Sequence, residues 1–176
     1  MNKNETKDRI LKTAHALFHK QGYSNTGINQ IIKEAKVAKA SLYYHFATKE
    51  ELCIAYLDER HKVWNERFQA YISDKQDKVL AVFDFLIDDN VKSNFRGCSF
   101  INMSSETPPE KELIFEKLQH HKNKLLAFFE SEITDKSLAY TVYALFESAI
   151  VESQLYRSQE PGKRLKAIVA GLISSK

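Results

Sequence analysis

Between Lys39 and His45 the chain carries Lys39, Ser41, Tyr43 and His45, side chains that hydrogen-bond and, in two cases, present a flat ring. On a short helix, residues of these types suit contacts to base edges and to flanking phosphates. A second chemical candidate is Cys98. Arg96 lies two residues before it and would favour the thiolate, and His120 or His121 could serve as its base. Yet the chain has no nucleophile motif, no phosphate-binding loop and no His/Cys/Asp cluster at metal-ligand spacing. A Cys/His enzyme is therefore the weakest alternative, and neither a catalytic role nor a cofactor nor a metal is expected.

The elements that must hold these side chains are helices. The chain has 176 residues, of which 43% are hydrophobic, with eleven Phe, eight Tyr and one Trp. That is ample material for a core and argues against disorder. Five Gly and three Pro leave few tight turns, which disfavours a β-sandwich. Two Cys are too few for a disulfide framework and fit a reducing cytoplasm. The polar start of the chain reads as no secretory signal. The longest apolar-rich run, 138–146, is about half of the roughly 20 residues that a membrane span needs. Charge is uneven: residues 1–50 hold nine basic and four acidic side chains, the other 126 hold 17 and 19. A basic head on a near-neutral body suits a polyanion-binding module joined to something else.

Helical spacing of Ile10, Leu11, Ala14, Leu17 and Phe18 predicts a first helix from Arg9, stopped by Gly22. Thr26 is expected to cap a short second helix holding Ile28, Ile31, Ile32 and Ala35. After a break at 36–38 a third segment spans Lys39 to Phe46. Thr48 and Glu51 have capping-box spacing and open a long helix to about Ser73. Three short helices with a brief second connection outline a helix-turn-helix. A fifth helix contains Val79, Val82, Phe83, Leu86 and Ile87. Residues 90–105 read as a loop with one helical turn, and Thr107-Pro108-Pro109-Glu110 as the start of the next helix. Two more helices follow at about 137–157 and 161–174, for an all-α fold of about nine helices.

From Ile10 to Leu52 the sequence resembles the DNA-binding domain of the TetR family of bacterial transcriptional regulators. The carrying residues are Ile10-Leu11, Ala14, Leu17-Phe18, Gly22-Tyr23, Thr26, Ile28, Ile31-Ile32, Ala35, Val37, Leu42-Tyr43, His45-Phe46 and Lys49-Glu50-Glu51-Leu52. The resemblance implies a DNA-binding domain at 1–47, and an effector-binding and dimerisation domain at 48–176. It implies that Lys39, Ala40 and Ser41 face the major groove. It also implies phosphate contacts from Tyr43, His45 and Lys49, and from Thr26 through its hydroxyl and the helix N-terminus. Leu42 and Phe46 read as core beneath the recognition helix. Lys36 stands where Gly is usual, which predicts a left-handed residue there, and Ala38 replaces the usual Ser cap.

The family's habit further implies a homodimer through residues about 137–174, bound to a near-palindromic double-stranded operator and released by a small-molecule effector in the cytoplasm, with no membrane partner. The helix from 137 is apolar on nearly every side, which requires cover on all faces. His61, Trp64, Phe68, Phe83, Phe100, His121 and Tyr143, with Glu147 as a polar group, are candidates to line an effector cavity, or else ordinary core. The segment Gly97-Cys98-Ser99-Phe100-Ile101-Asn102 resembles one found in a subset of the family in which a Cys senses oxidants or electrophiles, so a thiol-based regulator using Cys98 is the alternative. Cys53 is expected to be structural.

Overall fold

A computed structural model describes residues 3–174. Among the described residues there are nine helices and no strand: α1 Lys3–Gln21, α2 Ile28–Ala35, α3 Lys39–His45, α4 Lys49–Ile72, α5 Lys78–Lys92, α6 Ser99–Glu106, α7 Glu112–Glu132, α8 Lys136–Tyr156 and α9 Glu160–Ser174. No helix is long and apolar enough to cross a membrane among them. The chain packs as two units, one formed by the residues up to Lys62 with Ser99–Gln119, the other by Val63–Cys98 with His120–Lys176.

In the first unit, α1 is longer than its apolar stripe and starts six residues earlier, at Lys3. It ends at Gly22, whose φ of 86° is the left-handed geometry that a helix stop favours and that glycine adopts at low cost. Ile10, Ala14, Leu17 and Phe18 from α1 are buried together with Ile31, Ala35, Leu42, Phe46, Leu52 and Tyr56. Phe18 and His15 both meet the Tyr56 ring edge-on, at 5.5 and 5.2 Å. α2 ends in a Schellman turn: Lys36 donates to Lys33 O and Val37 to Ile32 O, both at 3.2 Å. Lys36 is left-handed there, with φ 51°, as its place in the sequence predicts. At the start of α4 the capping box forms, with Glu51 N–H on Thr48 Oγ1 and the Glu51 carboxylate accepting from Ala47 N–H.

In the second unit, α8 and α9 pack on one another and α5 packs against both. Asp77 and Asp135 cap α5 and α8 by accepting backbone N–H groups. The core is aromatic: Phe83 lies edge-on to Phe146 at 5.2 Å, and Phe68 to Phe128 at 5.0 Å.

Three expectations need correction. Thr26 is not the N-cap of α2; Gly27 occupies that position, without a side-chain bond. Residues 90–105 are mostly helical, because α5 runs on to Lys92 and α6 makes two turns whose Phe100 and Met103 are buried. The helix expected from Pro108 begins at Glu112, since the Thr107 hydroxyl closes α6 on Met103 O, and Pro108 O accepts from Lys111 N–H in a turn.

Two stability tests follow. Lys36→Gly relieves a left-handed lysine and should raise the unfolding free energy in urea denaturation by about 0.5–1 kcal/mol; an unchanged or lower value contradicts strain at that turn. Burial, then Arg60 and His19, hold His15 below its ordinary 6.5 against the opposing pull of Glu59. Below pH 6.5 the unfolded chain therefore takes up a proton more readily than the folded one, and stability falls on acidification. Denaturation at pH 7.5 and 5.5 should show that fall, and a smaller one in His15→Gln.

Candidate DNA interface and regulatory cluster

α3 is held from beneath. Leu42 is fully buried and Phe46 nearly so, which turns Lys39, Ala40, Tyr43 and Tyr44 outward as exposed residues and leaves Ser41 and His45 half-buried. Ala38 precedes the helix with extended backbone and no side-chain cap. The first-turn N–H groups of α3 are thus left without a side-chain acceptor at the end where Lys39 stands. Tyr44, 64% exposed and edge-on to His45 at 5.1 Å, is an outward donor and stacking ring that the sequence reading passed over. Its signal was an aromatic residue adjoining Tyr43, one helical step from the buried Leu42 stripe.

Two expected phosphate contacts sit differently. Thr26 is fully buried and its hydroxyl donates to Gly22 O at 2.6 Å. That hydroxyl is thus engaged inside the α1–α2 turn. Lys49 donates to Tyr23 O at 2.7 Å and its ammonium stands over the Tyr23 ring at 4.0 Å. Burial draws the Lys49 pKa down, with Cys53 and Glu106 acting against it. Burial likewise lifts the Tyr23 phenol to about 12. Lys49 thus fastens the start of α4 to the turn after α1.

The effector candidates divide between the units: His61 and Phe100 belong to the first, and Trp64, Phe68, Phe83, His121, Tyr143 and Glu147 to the second. In the second unit Trp64 stacks on Phe68 at 4.8 Å and meets the buried His121 edge-on at 4.8 Å. Those three are brought together, whereas Phe83 packs on Phe146 as interior.

A polar cluster gathers Cys98, Tyr143 and Glu147 around a residue that the sequence reading left out, Lys122. Its ammonium lies 2.7 and 2.9 Å from the two Glu147 oxygens and 3.6 Å from Cys98 Sγ. Lysine and glutamate are each about one-fifth exposed. Burial, then Glu147, raise the Tyr143 phenol to about 12. The cation that the fold sets on the thiol is therefore Lys122. The clue was a lysine at the edge of the apolar stripe formed by Leu118, His121 and Leu125. Cys53, by contrast, is buried against Met103 Sδ at 3.8 Å, and burial drives its thiol up to about 12. Among the described residues no group of three or more His, Cys, Asp or Glu side chains could hold a metal ion.

The two thiols should separate chemically. An aromatic disulfide reagent at pH 8 should modify Cys98 in the folded protein and leave Cys53 untouched until denaturant is added. Equal reaction at both sites contradicts the burial of Cys53.

The family model for bacterial regulatory proteins of the tetR family matches residues 10–56. An HTH-type transcriptional regulator of Lactococcus lactis, in the lacX 3' region, is 32% identical over 110 residues, covering 60% of this chain and 56% of that protein. The HTH-type transcriptional repressor NemR of Escherichia coli is 24% identical over 199 residues, covering 99% of this chain and 98% of the repressor. Its reduced-form crystal structure matches with a TM-score of 0.78 at 20% identity, over 93% of this chain and 95% of that one. The TetR-family transcriptional regulator SCO4454 of Streptomyces coelicolor matches with a TM-score of 0.86 at 24% identity, over 97% of this chain and 89% of that one. Residues 10–56 thus carry the DNA-binding domain of the bacterial regulatory proteins of the tetR family, and over its whole length the chain is similar to HTH-type transcriptional regulators and shares the fold of TetR-family structures.

Proposed function

We propose that the protein is a homodimeric repressor that holds a near-palindromic operator in the cytoplasm and is released by a small-molecule effector. The observation that carries the reading is α3, seated on Leu42 and Phe46 with Lys39, Ala40, Tyr43 and Tyr44 outward. Lys39, Ala40 and Ser41 would enter the major groove, and Tyr43 and His45 would meet phosphates. Lys49 and Thr26 serve the site by position: the first ties α4 to Tyr23, the second closes the turn that starts α2.

Dimerisation is supported by apolar residues that α8 and α9 leave exposed. Tyr140, Val151, Leu155 and Tyr156 on α8, with Ile168 and Leu172 on α9, are between 38% and 70% exposed. Helices that expose so much apolar surface suit burial against a second copy. Two recognition helices related by a two-fold axis would then read two half-sites. The effector reading rests on the Trp64, Phe68 and His121 rings and on the Lys122–Glu147 pair, which combine apolar surface with an orienting charge.

Lys122 also favours a second reading, in which Cys98 senses an oxidant or electrophile. The Lys122 ammonium stands 3.6 Å from the half-buried Cys98 sulfur that such reagents would attack. The E. coli relative has a structure described as its reduced form, which accords with this reading.

Selection from a random double-stranded DNA pool should enrich a near-palindrome whose affinity falls steeply with salt. No enrichment, with only weak binding, would contradict the reading. Tyr43→Ala should weaken binding about equally across sequences, whereas Lys39→Ala should also relax sequence preference, at a cost of about 1–3 kcal/mol. Leu155→Glu should shift the protein to monomer in sedimentation velocity and abolish tight binding. If oxidant releases DNA from the wild type and from Cys98→Ser alike, the thiol reading fails.

A further inference from the structure

Glu106, the last residue of α6, lies far in sequence from the DNA-binding helices and yet touches the turn that joins α1 to α2. Its main-chain carbonyl accepts from the Ser24 hydroxyl at 2.8 Å, and its carboxylate accepts from Ser24 N–H at 3.3 Å. Gly22 makes room for it. A Cβ on Gly22 would fall 2.1 Å from Glu106 Oε2, and the positive φ of 86° already excludes most other residues. Glycine thus suits this position by its backbone, and its lack of a Cβ leaves room for the carboxylate.

The same stretch of chain is fastened again a few residues later. Thr107 is buried, with its hydroxyl on Met103 O at 2.7 Å. Lys111 then pairs with Glu50 in the first turn of α4 at 2.9 Å. From Gly22 the path to the recognition helix is short. Gly22 O accepts the Thr26 hydroxyl, Thr26 N–H donates to Tyr23 O at 3.2 Å, and α2 begins at Ile28. Lys49 holds Tyr23 O from the other side. The 22–26 turn is therefore gripped by α6 through Glu106 and by α4 through Lys49.

We infer that Glu106 is a positioning residue for DNA recognition: from the C-terminal end of α6 it holds the Gly22–Ser24 turn, and through that turn the α2–α3 pair, in the orientation that presents α3 to DNA. The inference rests on the proposed DNA-binding role of α3. It adds that α6, some fifty residues beyond the helix-turn-helix in sequence, is part of the module that reads DNA. Glu106 itself does not contact DNA.

The test uses the full chain and the duplex enriched from the random pool. Glu106→Ala should weaken binding about fivefold while leaving the salt slope unchanged, since no phosphate contact is lost. Glu106→Gln keeps a carbonyl acceptor for Ser24 N–H and should recover most of the affinity. Ser24→Ala, an exposed substitution that poses little threat to folding, should reproduce part of the loss and add little to it when combined with Glu106→Ala. Amide hydrogen exchange without DNA should speed up at Ser24 in Glu106→Ala and stay at the wild-type rate in Lys39→Ala. That exchange readout separates the two claims: if no variant and no wild type binds DNA but Ser24 exchange responds, the DNA reading fails and the grip stands. Wild-type affinity and wild-type Ser24 exchange in Glu106→Ala, or an equal loss in Glu106→Gln and Glu106→Ala, would overturn the inference. A merely stabilising Glu106 would lower the melting temperature and leave the affinity of the folded protein unaltered, which also counts against it.

Discussion

The reversal of the chain between α1 and α2 depends on one hydrogen bond, from the buried Thr26 hydroxyl to the carbonyl of Gly22 at 2.6 Å. A buried acceptor that lost this partner would cost about 1–3 kcal/mol. Gly22, the acceptor, is left-handed at this turn, with φ 86°. Once the turn is set, α2 can start at Ile28 with Ile31 and Ala35 facing the core, and α3 follows with Leu42 and Phe46 inward. The outward set on α3 is what remains when those inward positions are taken.

The second unit is organised differently. Its interior is a run of aromatic contacts, from Trp64 stacked on Phe68 to Phe128 and from Phe129 to Phe146. Within that unit the Lys122–Glu147 pair is mostly withdrawn from solvent. A withdrawn ion pair recovers little more than its own desolvation, so it adds little to stability. It does fix two charges in place, and it leaves one ammonium proton directed at Cys98. Specific chemistry in this unit therefore concentrates where a basic, an acidic and a thiol group meet beside Tyr143.

Helix periodicity and stop signals carried most of the fold in readable form. The Ile10–Phe18 stripe, Gly22, the Thr48–Glu51 box and the largely apolar α8 each found their expected element. The failures share a cause: local chemistry has more than one use. Thr26 sits where an N-cap would, but its hydroxyl serves a turn four residues behind it. Thr107 and Pro108 look like a helix start, but Thr107 closes the preceding helix. α6 was missed because its two turns draw stability from burial of Phe100 and Met103 rather than from caps. In the candidate interface Lys39, Ala40 and Tyr43 are exposed, whereas Thr26 is drawn inward by Gly22, four residues behind it, and Lys49 by Tyr23, remote in sequence. Lys122 and Glu106 were invisible for the same reason: each acts through a contact to a residue more than twenty positions away.

The central claim is that α3 meets DNA in the orientation set by the α1–α2 turn. NMR titration of isotope-labelled protein with the enriched duplex tests it most directly. The account predicts amide shift changes concentrated in 27–49, strongest at Lys39–His45, with Gly22 and Ser24 shifting as the turn tightens. Changes confined to the helices of the second unit, or none at α3 under saturating duplex, would contradict it.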